Sequence, residues 1–515
     1  MLILSAPTPA PKSKQPKGPS AIKSTSAVKT TSMEDDMAGM NLEDTKKEEA
    51  QPAPLPKTLL ERTAIIGEVK KKEADGKGAL SLVVVGHVDA GKSTLMGRLL
   101  YELGVLSEKE KIANERGSEK MGKSSFQYAW ALDGTVEERE RGVTMDIAQD
   151  HFTTPNRHFT LLDAPGHRDF IPNMISGASQ ADAAMLVVDA STGEFESGFG
   201  VGGQTREHAL LVRSLGVQNV IVVVNKLDTV EWSVDRFDDI EDQMKPFLVQ
   251  SGFLPGKTTF VPVGAMQGIN LAEVGDRAEV MPWYKGPTLV DRLDALEVPL
   301  RALEAPLRIP LSNVFKGQTS SGVGVAGRVC SGVVQVGERL RILPGDESGI
   351  VRSIEVDEEN VPWAVAGTNV TIFLASIDPI HLSIGSVLCP QAQLVPQVTS
   401  FVAQIILFDI EYPITSGTLV ELFHHSANLP ASVSKLVATL DRSTGKVIKE
   451  KPRVLTRNTS ARVEISLRSP NEHSSDRRQP TVSLEPFSVN KEMGRILLRR
   501  GGETVGAGVV VEILA

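Results

Sequence analysis

The run Gly86-His87-Val88-Asp89-Ala90-Gly91-Lys92-Ser93 constrains this chain more than any other, because it spells a G-x-x-x-x-G-K-[ST] phosphate loop with the flanks such a loop requires. Leu82-Val83-Val84-Val85 before it is apolar and β-branched and reads as a buried strand. Thr94-Leu95-Met96-Gly97-Arg98-Leu99-Leu100 after it carries apolar residues at helical spacing. A strand, a glycine-bracketed loop and a helix start together aim backbone N–H groups and a positive dipole end at one point. Lys92 is placed to reach terminal phosphates and Ser93 to ligate magnesium. Gly86 through Thr94 therefore reads as a nucleoside-triphosphate site. The same motif sets the surrounding fold class, a mostly parallel α/β sheet with helices on both faces.

A second motif selects the base. Residues 219–224 (NVIVVV) form another buried-strand run that empties into Asn225-Lys226-Leu227-Asp228. The Asp228 carboxylate can accept hydrogen bonds from the N1–H and exocyclic amine of guanine. Adenine has an acceptor at N1 and no amine at C2, so it would leave that acid unpaired. Sites built this way discriminate by several powers of ten. Asn225 and Lys226 are expected to brace the loop and cover the ring. The expected ligands are GTP and GDP.

Between the two motifs lies a candidate switch. Asp163-Ala164-Pro165-Gly166-His167 follows the strand-like His158-Phe159-Thr160-Leu161-Leu162. Asp163 is placed to hold the magnesium through a water, and the Gly166 N–H to meet a γ-phosphate. Upstream, residues 137–141 are densely charged and read as a solvated helix, but Thr144 offers a hydroxyl that completes a magnesium shell only with triphosphate present. Such a segment orders with GTP and loosens after hydrolysis. His167 is the candidate catalytic residue, an imidazole beyond the γ-phosphate able to orient the attacking water. Val88 and Val143 are expected to form an apolar gate that holds it back. No arginine finger is evident, so intrinsic turnover should be slow and the stimulus should come in trans.

Together GHVDAGKS, ERERGVTMD, DAPGHRDFIPNMISGASQAD, GGQTREHALLVRSLGV and NKLD resemble the translational GTPases related to elongation factor 1-alpha. RGVTMD, RDFIPNM and LVVDAS are most similar to the HBS-like ribosome-rescue branch, partners of Pelota. The resemblance runs from about Leu80 to the C-terminus. It implies two antiparallel β-barrels after the GTP-binding domain, action on the ribosome and delivery of a Pelota-like protein to stalled or empty ribosomes. An aminoacyl-tRNA carrier like elongation factor 1-alpha, or a termination GTPase like release factor 3, would share the same GTP chemistry. The family's guanine-supporting loop usually reads Ser-Gly-Leu or Ser-Ala-Leu, whereas here Gly264-Ala265-Met266 follows Val261-Pro262-Val263. The backbone N–H survives that change, while Gly264 is expected to add backbone freedom.

Composition agrees with several packed domains. The chain has 515 residues, 41% of them hydrophobic, and a formal net charge of −9, which argues against a generic or sequence-specific nucleic-acid binder. At 5% aromatic content, base stacking is a poor mode for this chain, so ribosome contact needs local patches or a protein partner. Cys330 and Cys389 are the only cysteines, too few for a disulfide scaffold and in keeping with a reducing compartment. His424-His425 is read as structural, since neighbouring strand residues face opposite ways.

The expected division is residues 1–75 as disordered tail and linker, 76–302 as the GTP-binding domain, and 303–396 and 397–515 as two β-barrels. The tail is rich in Pro, Ser, Thr and Lys, although a helix is expected from about Thr58 to Glu73. The polar stretch 471–479 reads as an exposed loop. No apolar run reaches membrane-spanning length, and a cytoplasmic monomer with no membrane partner is expected.

Overall fold

The computed structural model describes residues 59–75, 77–109, 111–112, 114, 128, 144, 147–200, 202–316, 322–442, 444–469 and 480–515. The expected tail up to residue 58, the charged run 137–141, Val143 of the gate and the polar loop 471–479 lie outside them.

The first folded unit is built on the buried apolar runs. Its strands are β1 (Gly78–Gly86), β2 (Ala148–Thr153), β3 (Arg157–Asp163), β4 (Ala183–Asp189), β5 (Asn219–Asn225) and β6 (Thr258–Pro262). They form one sheet in the order β2-β3-β1-β4-β5-β6, parallel throughout except for antiparallel β2 at its edge. The central strands read as unbroken apolar runs because both faces are covered. Val83 and Val85 of β1 join one core with residues of the helices α3 (Ile171–Ala178), α4 (Glu194–Phe199), α5 (Gln204–Leu215) and α6 (Val234–Gln250). Leu82 and Val84 join the opposite core with α2 (Lys92–Glu102) and α8 (Leu289–Asp294). A short α7 (Arg277–Val280) precedes α8.

Past residue 306 the period-two pattern gives two antiparallel barrels. The first contains β7 (Ile309–Lys316), β8 (Val323–Arg328), β9 (Val333–Gln335), β10 (Arg339–Leu343), β11 (Glu347–Val356), β12 (Glu359–Val361), β13 (Trp363–Val365), β14 (Asn369–Ala375) and β15 (Val387–Pro390). Its ring closes through the β10–β11 pairing. The second contains β16 (Gln397–Val398), β17 (Ser400–Leu407), β18 (Thr418–His424), β19 (Ala427–Leu440), β20 (Val447–Glu450), β21 (Ser460–Leu467), β22 (Val482–Ser483), β23 (Arg495–Arg500) and β24 (Glu503–Ile513), closed by β18–β19. β20 is appended outside that ring and pairs only with β19.

The expected N-terminal helix is present as α1 (Arg62–Asp75). It does not stand clear of the fold. Ile65 and Val69 pack against Val333 and Ala366 of the first barrel, and the Leu60 backbone exchanges two hydrogen bonds with the Gln335 side chain.

A buried carboxylate joins the sheet to the first barrel. Asp182 accepts from Arg301 at 2.6 and 2.8 Å, from Arg328 at 2.5 Å and from the Ser81 N–H at 3.0 Å. Burial alone would raise its pKa, but Arg328 and Arg301 outweigh burial and hold the carboxyl below its ordinary value. Nearby, Asp357 accepts from Thr160 at 3.3 Å and bonds His158 at 2.9 Å. The second barrel meets the sheet through α5, where Thr504 donates to Glu207 at 3.0 Å.

Candidate functional site

The phosphate loop sits where the sequence places it, between β1 and α2. Gly91 is the cap residue of α2 in the left-handed region (φ 86°), and a Cβ there would press on the Asn225 amide. No side chain caps α2 and no acid lies in its first turn, so its N–H groups and dipole end are free to serve an anion. Lys92 is buried and donates to the carbonyls of Gly86 (3.3 Å) and His87 (2.9 Å), which curls the loop around its own cation. Burial lowers the Lys92 pKa against the opposing pull of Asp163 and Asp89. A poorly solvated ammonium of this kind gains more from a phosphate than an exposed one would.

The three expected magnesium residues converge. Ser93 donates to Asp163 at 2.8 Å, and its hydroxyl lies 3.3 Å from that of Thr144. Two hydroxyls and one buried carboxylate form a hard-oxygen donor set, which suits magnesium and not zinc or copper. Among the described residues there is no competing group of three His, Cys, Asp or Glu side chains.

On the base side, Asn225 is a brace. Its amide donates to the Ala90 carbonyl at 2.9 Å and its oxygen accepts from the Ala265 N–H at 3.1 Å, which ties the phosphate loop to the loop after β6. Lys226 sits in the left-handed region (φ 60°) and pairs with Asp189 at 2.7 Å. Asp228 accepts from Gln267 at 2.8 Å. The expected looseness at Gly264 is not found. Gly264 and Ile269 exchange backbone hydrogen bonds at 3.2 and 3.1 Å, and the Trp232 ring occupies the space a Cβ would need. The serine of the usual loop would collide with that indole, which explains the departure.

The segment after β3 closes the site. A Cβ on Gly166 would strike the Lys92 ammonium and lie 3.0 Å from the Gly86 carbonyl, so a side chain there would push Lys92 out of place. His167 caps the short helix that follows it, with Nδ1 accepting from the Asp169 N–H at 3.2 Å and a half-exposed ring. Val88 lies in the loop, but its partner in the expected gate is outside the described residues. Thr94, Ala90 and Asp89 fall on the loop and first turn of α2, and Met266 follows Ala265 at the base side.

Several residues escaped sequence reasoning. The Gln204 amide, oriented to satisfy its neighbours, donates to the Gly166 carbonyl (3.1 Å) and to His87 Nδ1 (2.7 Å), while its oxygen accepts from the Arg168 N–H (3.0 Å). His208, one turn further along α5, is buried; burial first and then the Lys92 charge pull its imidazole down to about 3, so it is neutral. Arg98 of α2 donates to the carbonyls of Met266 (3.0 Å) and Gln267 (3.2 Å). Gln204 and His208 shared one signal, their places in the GGQTREH run; Arg98 had none. The argument from alternating faces for His424-His425 also fails. His425 lies beyond β18 in a left-handed turn (φ 50°), and the two rings meet edge to face with centroids 4.7 Å apart. Burial lowers both pKa values, so the pair is a neutral packing unit.

The site and its sheet define a P-loop GTPase that carries two β-barrels behind it. The families described as "Elongation factor Tu GTP binding domain", "Elongation factor Tu domain 2" and "GTP-eEF1A C-terminal domain-like" match residues 77–298, 322–389 and 400–511. Protein HBS1 of Drosophila melanogaster is 45% identical over 86% of this chain, which spans 64% of that longer protein. Elongation factor 1-alpha of Ignicoccus hospitalis is 41% identical over 86% of this chain and 98% of its own. The GTP-bound GTPase-like domain of Ski7 from S. cerevisiae shares the fold, with a TM-score of 0.71 at 19% identity over 88% of this chain and all of its own. The chain belongs to the translational GTPases related to elongation factor 1-alpha.

Proposed function

We propose that this GTPase delivers a Pelota-like protein to stalled or empty ribosomes in the cytoplasm, for rescue and mRNA surveillance. The observation that carries the switch is the Gln204 junction. One side chain on α5 joins the phosphate loop, the Gly166 carbonyl and the Arg168 N–H, and α5 packs on β23 and β24 of the second barrel. In this reading a change at Gly166 reaches the barrel surface through that one helix. The greater identity with HBS1 than with elongation factor 1-alpha favours a protein cargo over aminoacyl-tRNA.

In this reading Ser93, Thr144 and Asp163 hold magnesium, which neutralises charge on the phosphates when bound. Lys92 and the N–H groups at the start of α2 hold the phosphates, Asp228 reads guanine, and Asn225, Lys226 and the Gly264-Ala265-Met266 loop frame it. His167 orients the attacking water. Its ring is engaged in its own helix cap, and releasing one such hydrogen bond costs about 1 kcal/mol. Freeing the ring alone is worth only about fivefold in rate, so the stimulus supplied in trans has to do more than displace it.

The test is GTP hydrolysis with vacant ribosomes, adding either a Pelota-like protein or aminoacyl-tRNA. Stimulation by the Pelota-like protein alone is expected; stimulation only by aminoacyl-tRNA would make this an elongation factor. His167→Ala should keep GTP affinity and lose ribosome-stimulated turnover, and retained turnover would remove His167 from the mechanism.

A further inference from the structure

Residues 441–457 carry six cations, Arg442, Lys446, Lys449, Lys451, Arg453 and Arg457, against only Asp441 and Glu450, in a chain whose net charge is −9. The six basic residues are all exposed. They ride on the hairpin from β19 into the appended strand β20 and on the segment that returns to the barrel. The described turn residues bond one another: the Asp441 carboxylate accepts from the Thr444 N–H and hydroxyl, each at 2.8 Å, and the Asp441 N–H donates to the Lys446 carbonyl at 2.8 Å. That leaves Asp441 occupied by its own turn. The returning segment is pinned by buried Pro452 and Leu455, the latter exchanging backbone hydrogen bonds with Ile414 at 2.9 and 2.8 Å. Arg457 pairs with Asp409 at 3.7 Å on the surface; among the described residues the other five cations make no ion pair. A shallow groove of about 490 Å³ runs beside them, lined by Thr439, Arg442, Ile448 and Asn458 among others.

A lysine on an edge strand has a plain purpose, to deter edge-to-edge pairing. That accounts for Lys449 on β20. It does not account for Arg442, Lys451, Arg453 and Arg457, which lie off the strand. Gathering five unpaired cations on one short projection is unfavourable unless an anionic partner meets it. The residues from 441 to 457 include no aromatic side chain, so base stacking is absent and the complementary surface is a phosphate backbone.

We infer that this hairpin of the second barrel is an RNA-backbone contact, which takes the phosphates of duplex ribosomal RNA. The inference rests on the ribosomal reading above and supplies the local patch that so acidic a chain needs. Binding is sequence-tolerant and salt-sensitive.

The test uses the full chain, a labelled RNA duplex and, in parallel, a polyglutamate peptide. Wild type should bind the duplex with an affinity that falls steeply with salt. K446E/K449E/K451E/R453E should weaken binding at least about tenfold near 50 mM salt and flatten the log–log salt slope by roughly four. The milder K446Q/K449Q/K451Q/R453Q should show the same loss in smaller measure, and GTP affinity in both variants should match wild type, which verifies the fold. Unchanged duplex affinity and slope would overturn the inference. So would loss of polyglutamate binding with duplex binding intact, which would mark the hairpin as a dock for an acidic protein segment. Duplex binding needs neither ribosome nor cargo, so hairpin-dependent binding supports the surface even if the delivery assay fails.

Discussion

His208 shows how a residue remote from the nucleotide can be governed by the site. It lies under the phosphate loop, where burial and then Lys92 hold it neutral down to about pH 3, against an ordinary value of 6.5. The unfolded chain therefore takes up a proton near pH 6.5 that the folded chain refuses until about pH 3. The sign follows directly: this contribution leaves stability intact above 6.5 and removes it as pH falls toward 3. His208→Gln should make the loss of stability with falling pH shallower by about 1.4 kcal/mol per pH unit inside that window. Chemical denaturation at a series of pH values reads this, and parallel slopes for the two proteins would contradict it. Gly264 teaches the complementary lesson. Its loss of a serine looked like a loosening, yet the cause is a bulky ring supplied by Trp232, more than a turn of sequence away.

At the scale of elements, strand runs and the loop-to-helix transition were legible because they are local. The phosphate loop, the guanine motif and the strands β1, β3 and β5 could be placed from hydrophobic period and motif order alone. The links between them could not, since they depend on long side chains reaching across the sheet edge. Arg98 is the clearest instance. It stands on the helix whose start serves the phosphates, yet it holds the loop that borders Asp228. α2 thus touches both ends of the candidate nucleotide site. Removing hydrogen bonds from a charged donor costs about 1.5–3 kcal/mol each, part of which is recovered by water. Arg98→Ala should therefore speed GDP release about tenfold or more, measured with a fluorescent analogue. An unchanged rate would show that the base loop is held by Asn225 alone.

At the scale of the molecule, the G domain and first barrel are joined by ionic contacts that no pattern in the sequence announced. Asp182 lies 119 residues before Arg301 and 146 before Arg328, and no local pattern links it to either. Truncating one member leaves a charge stranded in a low-dielectric junction, which typically costs about 3–5 kcal/mol. Asp182→Ala should destabilise the chain by that amount in urea, whereas Asp182→Leu with both Arg301→Met and Arg328→Met should restore much of it. Equal stability of Asp182→Ala and wild type would show that the junction is held by other contacts. Among the described residues no helix is long and apolar enough to cross a membrane.

The docking of α1 has a consequence for the order in which the chain is made. Its backbone contact at Leu60 and the Gln335 side chain that answers it are 275 residues apart in sequence. At roughly 5–20 residues per second, the barrel that completes this helix leaves the translating ribosome roughly a quarter of a minute to a minute after the helix itself. The sheet of the G domain is synthesised in between. Ile65 and Val69 must wait, uncovered, through the folding of an entire domain to which they do not belong. Among the described residues the earliest helix thus finds its place only after the G domain has been made, and while the second barrel is still to come.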